Sequence, residues 1–336
     1  MAAKIDDPVL KKILQKYKDL PQPPFQMLYK FSDAHFFDFR NLPDLPWKIE
    51  EKLIIGTAPY GVFIDRDQNP NQLIEPAEVL PEYIRCIDAG AVAVHTHART
   101  AKSGIYDVDG ARKYLRAVVD PLRERYGDKI AFDGGVAYYG KSFEDSLFPI
   151  QEGIYEAAII NPSNGLMGDT VRVVHPRVLQ AYAEYCKEKN VKIMMDIQDT
   201  GDIQNAKRWL IDTGVLTKPY MWHLMGPLYG GYIYMPHVNA MVQGMLAMIE
   251  RIKEIDENSV IIVSQSGRAS SYLVALSIML GVHVRVGMED TIWQFPHRAD
   301  PIANNYDQVK MAVDIAKYLG RRPATADEYR KMIGIK

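Results

Sequence analysis

Ala91-Val92-Ala93-Val94-His95-Thr96-His97-Ala98-Arg99 is a short apolar run that ends in polar residues. Beyond a loop comes an amphipathic stretch, 107–126, long enough for a helix. The run reads as a buried strand and the stretch after it as a crossover. The same grammar continues in both directions. Candidate strands lie at 52–57, 91–97, 129–133, 157–161, 191–196, 220–225, 259–264 and 282–287. Helix-like stretches lie at 76–89, 107–126, 175–189, 203–213, 235–254, 270–280 and 304–319, with a weaker connection at 142–153. Strands joined by such long connections pair in parallel. Eight such units are the count of a closed barrel, so the pattern predicts a (β/α)8 TIM barrel over 52–336. The segment 1–51 stands outside the repeat as an N-terminal extension that packs on the barrel or on a neighbouring subunit. It carries a helical stretch at 9–18, with Pro8 where a helix start tolerates proline. The end, 317–336, reads as a tail with a short final helix.

Composition narrows the function. The chain has 336 residues, with 40 Lys+Arg against 42 Asp+Glu, a formal net charge of −2. That balance argues against binding a phosphate backbone, which needs a basic surface. Hydrophobic residues make up 47% and charged residues 24%, which excludes a disordered or highly charged tail protein. The two cysteines, Cys86 and Cys186, form neither a disulfide scaffold nor a Cys-ligated zinc site. No apolar stretch reaches the ~20 residues that span a bilayer. The expectation is a soluble cytoplasmic protein with small-molecule partners and no nucleic acid or membrane partner.

Two constellations carry chemistry. His95 and His97 are two apart in a strand, so both imidazoles project from one face at its C-terminal end. In a barrel that end is where active sites sit. The pair suits Zn²⁺, and ordinary packing is the alternative. The eighth run continues into Val284-Arg285-Val286-Gly287-Met288-Glu289-Asp290, which puts Arg285, Gly287 and Glu289 on one face. Charges on an inward face are costly unless paired or bound to metal. Either Arg285 pairs with a carboxylate, or Glu289 completes a His₂Glu site with Arg285 and Asp290 beside it. In a closed barrel the second and eighth strands both neighbour the first, so their tips can converge.

These residues resemble a known family. Gly56-Thr57-Ala58, Asn69-Pro70, Ala89-Gly90-Ala91, His95-Thr96-His97-Ala98-Arg99, Met225-Gly226, Ser266-Gly267-Arg268 and Val284 to Asp290 are similar, in order, to the β-keto acid cleavage enzymes. The resemblance implies a zinc-bearing barrel that uses an acyl-CoA, such as acetyl-CoA, to cleave a β-keto acid by Claisen and retro-Claisen steps. It implies a homo-oligomer, often a tetramer. It implies His95, His97 and Glu289 as zinc ligands and Arg285 with Asp290 as the catalytic pair. Asp133, Gly134, Gly135, Asn161, Ser266 and Arg268 are expected to bind substrate. Three positions depart from the family pattern. Phe63 stands where the family has an acidic residue, with Asp65 or Asp67 as substitutes. Asp133 precedes the Gly-Gly where the family has a hydroxyl residue, and Asn161-Pro162-Ser163 replaces a threonine-rich segment. They point to a β-keto acid other than an amino-substituted one.

Three rival readings exist. Gly135 to Ser142 fits the phosphate-cradling pattern G-x-x-x-x-G-K-[ST], which would make a nucleotide hydrolase. An amidohydrolase also carries H-x-H on a barrel, but on its first strand and with a lysine after the fourth. A non-catalytic metabolite-binding barrel would need no metal. Among the other histidines, His223 and His297 lie near strand ends and could line the pocket. His283 is a packed core histidine if its strand has no bulge, and His35, His175 and His237 read as surface or capping residues.

Overall fold

The computed structural model describes residues 7–19, 48–99, 107–135, 142–167, 170–226 and 237–335. Eight parallel strands close into a barrel in sequence order: β1 (Ile55–Thr57), β2 (Ala93–His95), β3 (Ala131–Gly135), β4 (Ala157–Ile160), β5 (Lys192–Ile197), β6 (Met221–Leu224), β7 (Val260–Ser264) and β8 (His283–Val286). All eight expected runs contain or overlap barrel strands: six are shorter than expected, and the third and fifth keep their length but lie two and one residues further along. The crossovers after β1 and β2 are the helices Pro76–Asp88 and Val108–Tyr126. The weak connection resolves into two short helices, Phe143–Ser146 and Phe148–Gln151. After β4 the chain adds an antiparallel pair, Gly165–Met167 with Thr170–Arg172, which the sequence pattern did not signal.

Alternation sorts each strand. Outward residues such as Val94, Phe132, Ile193, Trp222 and Ile261 pack under the helices. Inward residues form two tiers. The lower tier is apolar: Ile54, Ala93, Ala131, Ala157, Met194, Met221 and Ile262 meet Tyr329 and Ile333 of the final helix, Ala326–Ile333. The tail therefore plugs the N-terminal end of the barrel. Arg330 fastens it through Glu156 at 2.6 Å and the Ile130 carbonyl at 2.8 Å. His283 is the core histidine expected of a strand without a bulge. Its Nδ1 accepts from the Ile54 N–H at 3.1 Å, and burial beside Arg321 pushes its pKa down to about 3.

The upper inward tier is polar. His95, Asp133, Asn161, Asp196, His223, Ser264 and Arg285 are all buried there. A core has no use for such a ring, and it marks the C-terminal mouth as the working end. Residues 1–48 form a separate unit, in which Pro8–Lys16 is a helix capped by Asp7.

Candidate active site

The second strand ends in His95-Thr96-His97, and there the chain leaves the sheet. Carbonyls at such an exit lose ladder partners and must find others. Three tyrosine hydroxyls supply them. Tyr83 donates to the His95 carbonyl at 2.5 Å, Tyr155 to that of Thr96 at 3.0 Å, and Tyr60 to that of His97 at 2.5 Å. The two imidazoles are thus held from behind by a scaffold that no spacing rule reveals.

The turn after β8 delivers Glu289. Gly287 adopts φ +142°, and a Cβ on it would lie 2.2 Å from the Ala58 carbonyl oxygen, so only glycine lets the strands approach. Asn305 accepts from the Met288 N–H at 2.8 Å, and Glu289 N–H reaches the Ala58 carbonyl at 3.1 Å. Arg99 donates to the carbonyls of Gly61 and Ile64 at 2.7 and 2.5 Å, which fixes the loop after β1 against Glu289.

Three ligand atoms converge. His95 Nε2 and His97 Nε2 are 2.9 Å apart, and Glu289 Oε1 lies 3.2 and 3.1 Å from them. Ligand atoms of a tetrahedral zinc site with bonds of about 2.0–2.1 Å stand about 3.3 Å apart, so the triangle is slightly tight but of the right size. Lone pairs this close repel unless a cation or a shared proton lies among them. Among the described residues this is the group of His, Cys, Asp and Glu that could hold a metal ion. Glu289 Oε2 is buried without a hydrogen-bond partner, a further sign that the carboxylate serves something besides protein. The residues therefore fit a metal ion.

The surroundings tune this group. Asp133 Oδ1 takes the Nδ1–H of His95 at 2.5 Å, which turns Nε2 toward the other ligands. Burial alone would lower the pKa of His95, but the carboxylates of Glu289 and Asp133 overcome it and push the pKa up to about 9. Burial likewise opposes ionisation of Glu289, and His95, Arg285 and His97 hold it well below the usual carboxylate range. Arg285 Nη2 donates to Asp290 Oδ2 at 2.6 Å and lies 3.6 Å from Glu289 Oε1. Burial works against its charge, and Asp290 and Glu289 outweigh that and hold the guanidinium protonated.

The remaining expected site residues divide. Asp133 is spent on His95. Asn161 donates to Asp196 Oδ2 at 2.6 Å and accepts from the Ser163 N–H, so it acts through another residue. At Gly134 a Cβ would lie 2.3 Å from the Tyr155 ring and 2.6 Å from the Thr96 carbonyl oxygen, so packing explains that glycine. Ser266 is buried and donates to the Ser264 carbonyl. Arg268 is exposed, stacked over Trp293 at 4.0 Å, and is not brought into the buried ring. Phe63 points to solvent with 53% exposure, and Asp65 lies 3.8 Å from Arg99. Of the phosphate-cradling stretch, 136–141 lie outside the described residues, and Ser142 caps a helix of four residues.

Comparison with known proteins gives a family and a fold. A sequence model of the beta-keto acid cleavage enzyme family matches residues 52–335. The chain is 27% identical over 289 residues to the 3-keto-5-aminohexanoate cleavage enzyme of Acetoanaerobium sticklandii, covering 85% of this chain and 99% of that one. It is 23% identical over 315 residues to the 3-dehydrocarnitine:acetyl-CoA trimethylamine transferase of Rhizobium meliloti, covering 86% and 98%. Among solved structures, the binary complex of ObcA with oxaloacetate shares the fold, with a TM-score of 0.64 at 17% identity over 79% of this chain and 68% of that one.

Proposed function

The chain belongs to the β-keto acid cleavage enzyme family, and from that premise we propose that it exchanges acyl groups between a β-keto acid and an acyl-CoA, with acetyl-CoA as the co-substrate. The observation that carries the reading is the convergence of His95, His97 and Glu289 beside the Arg285–Asp290 pair at the barrel mouth. His95, His97 and Glu289 would hold a zinc ion. Bound there, zinc supplies Lewis acidity, which polarises the ketone and makes the α-proton easier to remove.

The chain's own groups do the rest. Asp290 takes the α-proton, within a hydrogen bond of the guanidinium that orients it. The α-carbon then bonds to the thioester carbonyl carbon, and the carbon–sulfur bond breaks. The thiolate attacks the original ketone carbon, and the bond from that carbon to the α-carbon breaks. Asp290 returns its proton to the α-carbon. The products are a new acyl-CoA and, from acetyl-CoA, acetoacetate.

The two sequence relatives named above are called for 3-keto-5-aminohexanoate cleavage and for trimethylamine transfer from 3-dehydrocarnitine. Phe63 faces solvent where the family pattern has an acidic residue, which supports a β-keto acid without an amino or trimethylamine group here. We assign the working form to a cytoplasmic homo-oligomer, a tetramer, and mass in solution by light scattering checks its size. Neither buried free thiol, Cys86 or Cys186, requires an oxidising compartment.

One experiment tests the reaction. Zinc-loaded protein is given a panel of 3-oxo acids with acetyl-CoA labelled with ¹³C at the carbonyl. Because the α-carbon attacks that carbonyl, the label must appear at C3 of acetoacetate, with a new acyl-CoA formed in equal amount. Label found only in free acetate would overturn the proposal.

A further inference from the structure

On β5, β6 and β7 lies a second buried array that the reaction above does not use. Asp196 on β5, His223 on β6 and Ser264 on β7 project inward from adjacent strands. Asp196 Oδ1 is 2.6 Å from His223 Nδ1, and His223 Nε2 is 2.6 Å from Ser264 Oγ. Asn161, just beyond β4, donates to Asp196 Oδ2 at 2.6 Å. All four side chains are buried. A carboxylate can only accept, so Nδ1 of His223 carries a proton and Nε2 is aimed at Ser264 Oγ, where a bare Nε2 would take the one hydroxyl proton and an Nε2–H leaves it for another acceptor. Buried polar chains this costly are kept when they hold one group in one place.

The group held is the Ser264 hydroxyl, and its neighbour is informative. Ser264 pairs in register with Arg285, and both face the lumen. Arg285 Nε is a buried donor without a hydrogen-bond partner. A buried guanidinium N–H left unmade is expensive, so it calls for an acceptor from outside the protein. Two donors, a hydroxyl and a guanidinium N–H, thus stand on neighbouring strands, Ser264 Oγ beside the catalytic pair and Arg285 Nε within it.

The proposed reaction needs such donors, and this inference rests on that reading. When the α-carbon bonds to the thioester carbonyl, the C=O π electrons move onto oxygen and make an oxyanion. That oxygen is distinct from the ketone oxygen of the keto acid, so it requires its own donors. We infer that His223, carrying a proton on both nitrogens against Asp196, donates Nε2–H to Ser264 Oγ, and that Ser264 Oγ–H and Arg285 Nε–H then receive the thioester oxyanion, making Ser264 a further catalytic residue and His223, Asp196 and Asn161 positioning residues. When the oxyanion collapses, the electrons return to the carbonyl and the thiolate leaves. Ser264 gains and loses no proton overall.

The test separates two steps. Exchange of the α-proton of the keto acid with deuterated solvent, measured above the enzyme-free rate without acyl-CoA, reports Asp290 and the metal site. Acyl transfer reports both steps. In zinc-loaded Ser264→Ala, transfer should fall 10²–10³-fold, the loss typical of one oxyanion donor, while exchange stays within threefold of wild type. Ser264→Thr, which keeps the hydroxyl, should recover at least a tenth of the wild-type transfer rate. His223→Phe should slow transfer at least tenfold with KM for acetyl-CoA little changed. Transfer within threefold of wild type in Ser264→Ala would overturn the inference. So would exchange and transfer falling together, which a merely structural serine would give. Absence of both reactions in the wild type with every keto acid overturns the parent reading and this one with it.

Discussion

Asp133→Asn is the substitution that most directly weighs the support behind the candidate metal ligands. The Asp133–His95 contact is 2.5 Å long, and the two side chains are 5% and 2% exposed. A charge-assisted bond so short and so dry is at the strong end for its type. Asparagine keeps the shape but removes the charge, and half of its rotamers would place an N–H against the Nδ1–H. His95 then loses both the fixed orientation of Nε2 and the carboxylate that raises its basicity. Partners of metal-bound histidines are typically worth 10–100-fold in metal affinity, about 1.4–2.7 kcal/mol. Nδ1 of His95 is hydrogen-bonded to Asp133, so we expect the upper half of that range. The assay is competition for zinc against a chromophoric chelator at fixed pH, with unfolding of the zinc-free protein measured alongside. Zinc affinity within threefold of wild type, in a variant that folds normally, would refute the argument. It would mean that the turn of Nε2 toward Glu289 is set by packing and the tyrosine scaffold alone.

Three further outcomes follow from the same geometry. His97→Ala should lower zinc content from about one ion per chain to below a tenth, by elemental analysis of protein purified without a chelator, with circular dichroism unchanged. Gly61→Ala replaces no ligand, yet its Cβ would lie 2.4 Å from Glu289 Cγ, so the carboxylate must turn and zinc affinity should drop at least tenfold. His283 titrates near its ordinary 6.5 when unfolded and at about 3 when folded, so its contribution to stability is complete above pH 6.5 and is lost as pH falls toward 3. Between pH 7 and pH 5 that loss is about 2 kcal/mol, and urea unfolding of His283→Gln should show a pH dependence smaller by about that amount. An unchanged dependence would mean that the histidine is not held neutral.

Why the sequence reveals one half of this site and hides the other is a matter of register. Alternation within a strand tells which residues share a face, and that suffices for His95 with His97 and for Arg285 with Glu289. Closure of eight parallel strands then brings those two tips together, because both flank β1. Alternation does not tell how high a residue of one strand stands against a residue of the next. Asp196, His223 and Ser264 lie on three strands, and only the ladder pairings Asp196 with His223, Ile262 with His223 and Val263 with Leu224 set their heights. The same limit hid the part played by Asp133, which sits one strand from His95 and in register with it. It also hid the tyrosines, whose hydroxyls reach the β2 exit from Tyr60, Tyr83 and Tyr155, and the final helix, whose place under the barrel follows from the apolar lower tier it completes. Polarity in the upper tier is the trace the hidden half left in the sequence. Asn161, Asp196 and Ser264 each fall at the inward C-terminal end of an otherwise apolar run, and His223 sits inside one. A core strand pays for such a residue in desolvation, so four of them in consecutive strands already say that the mouth is built to hold something polar.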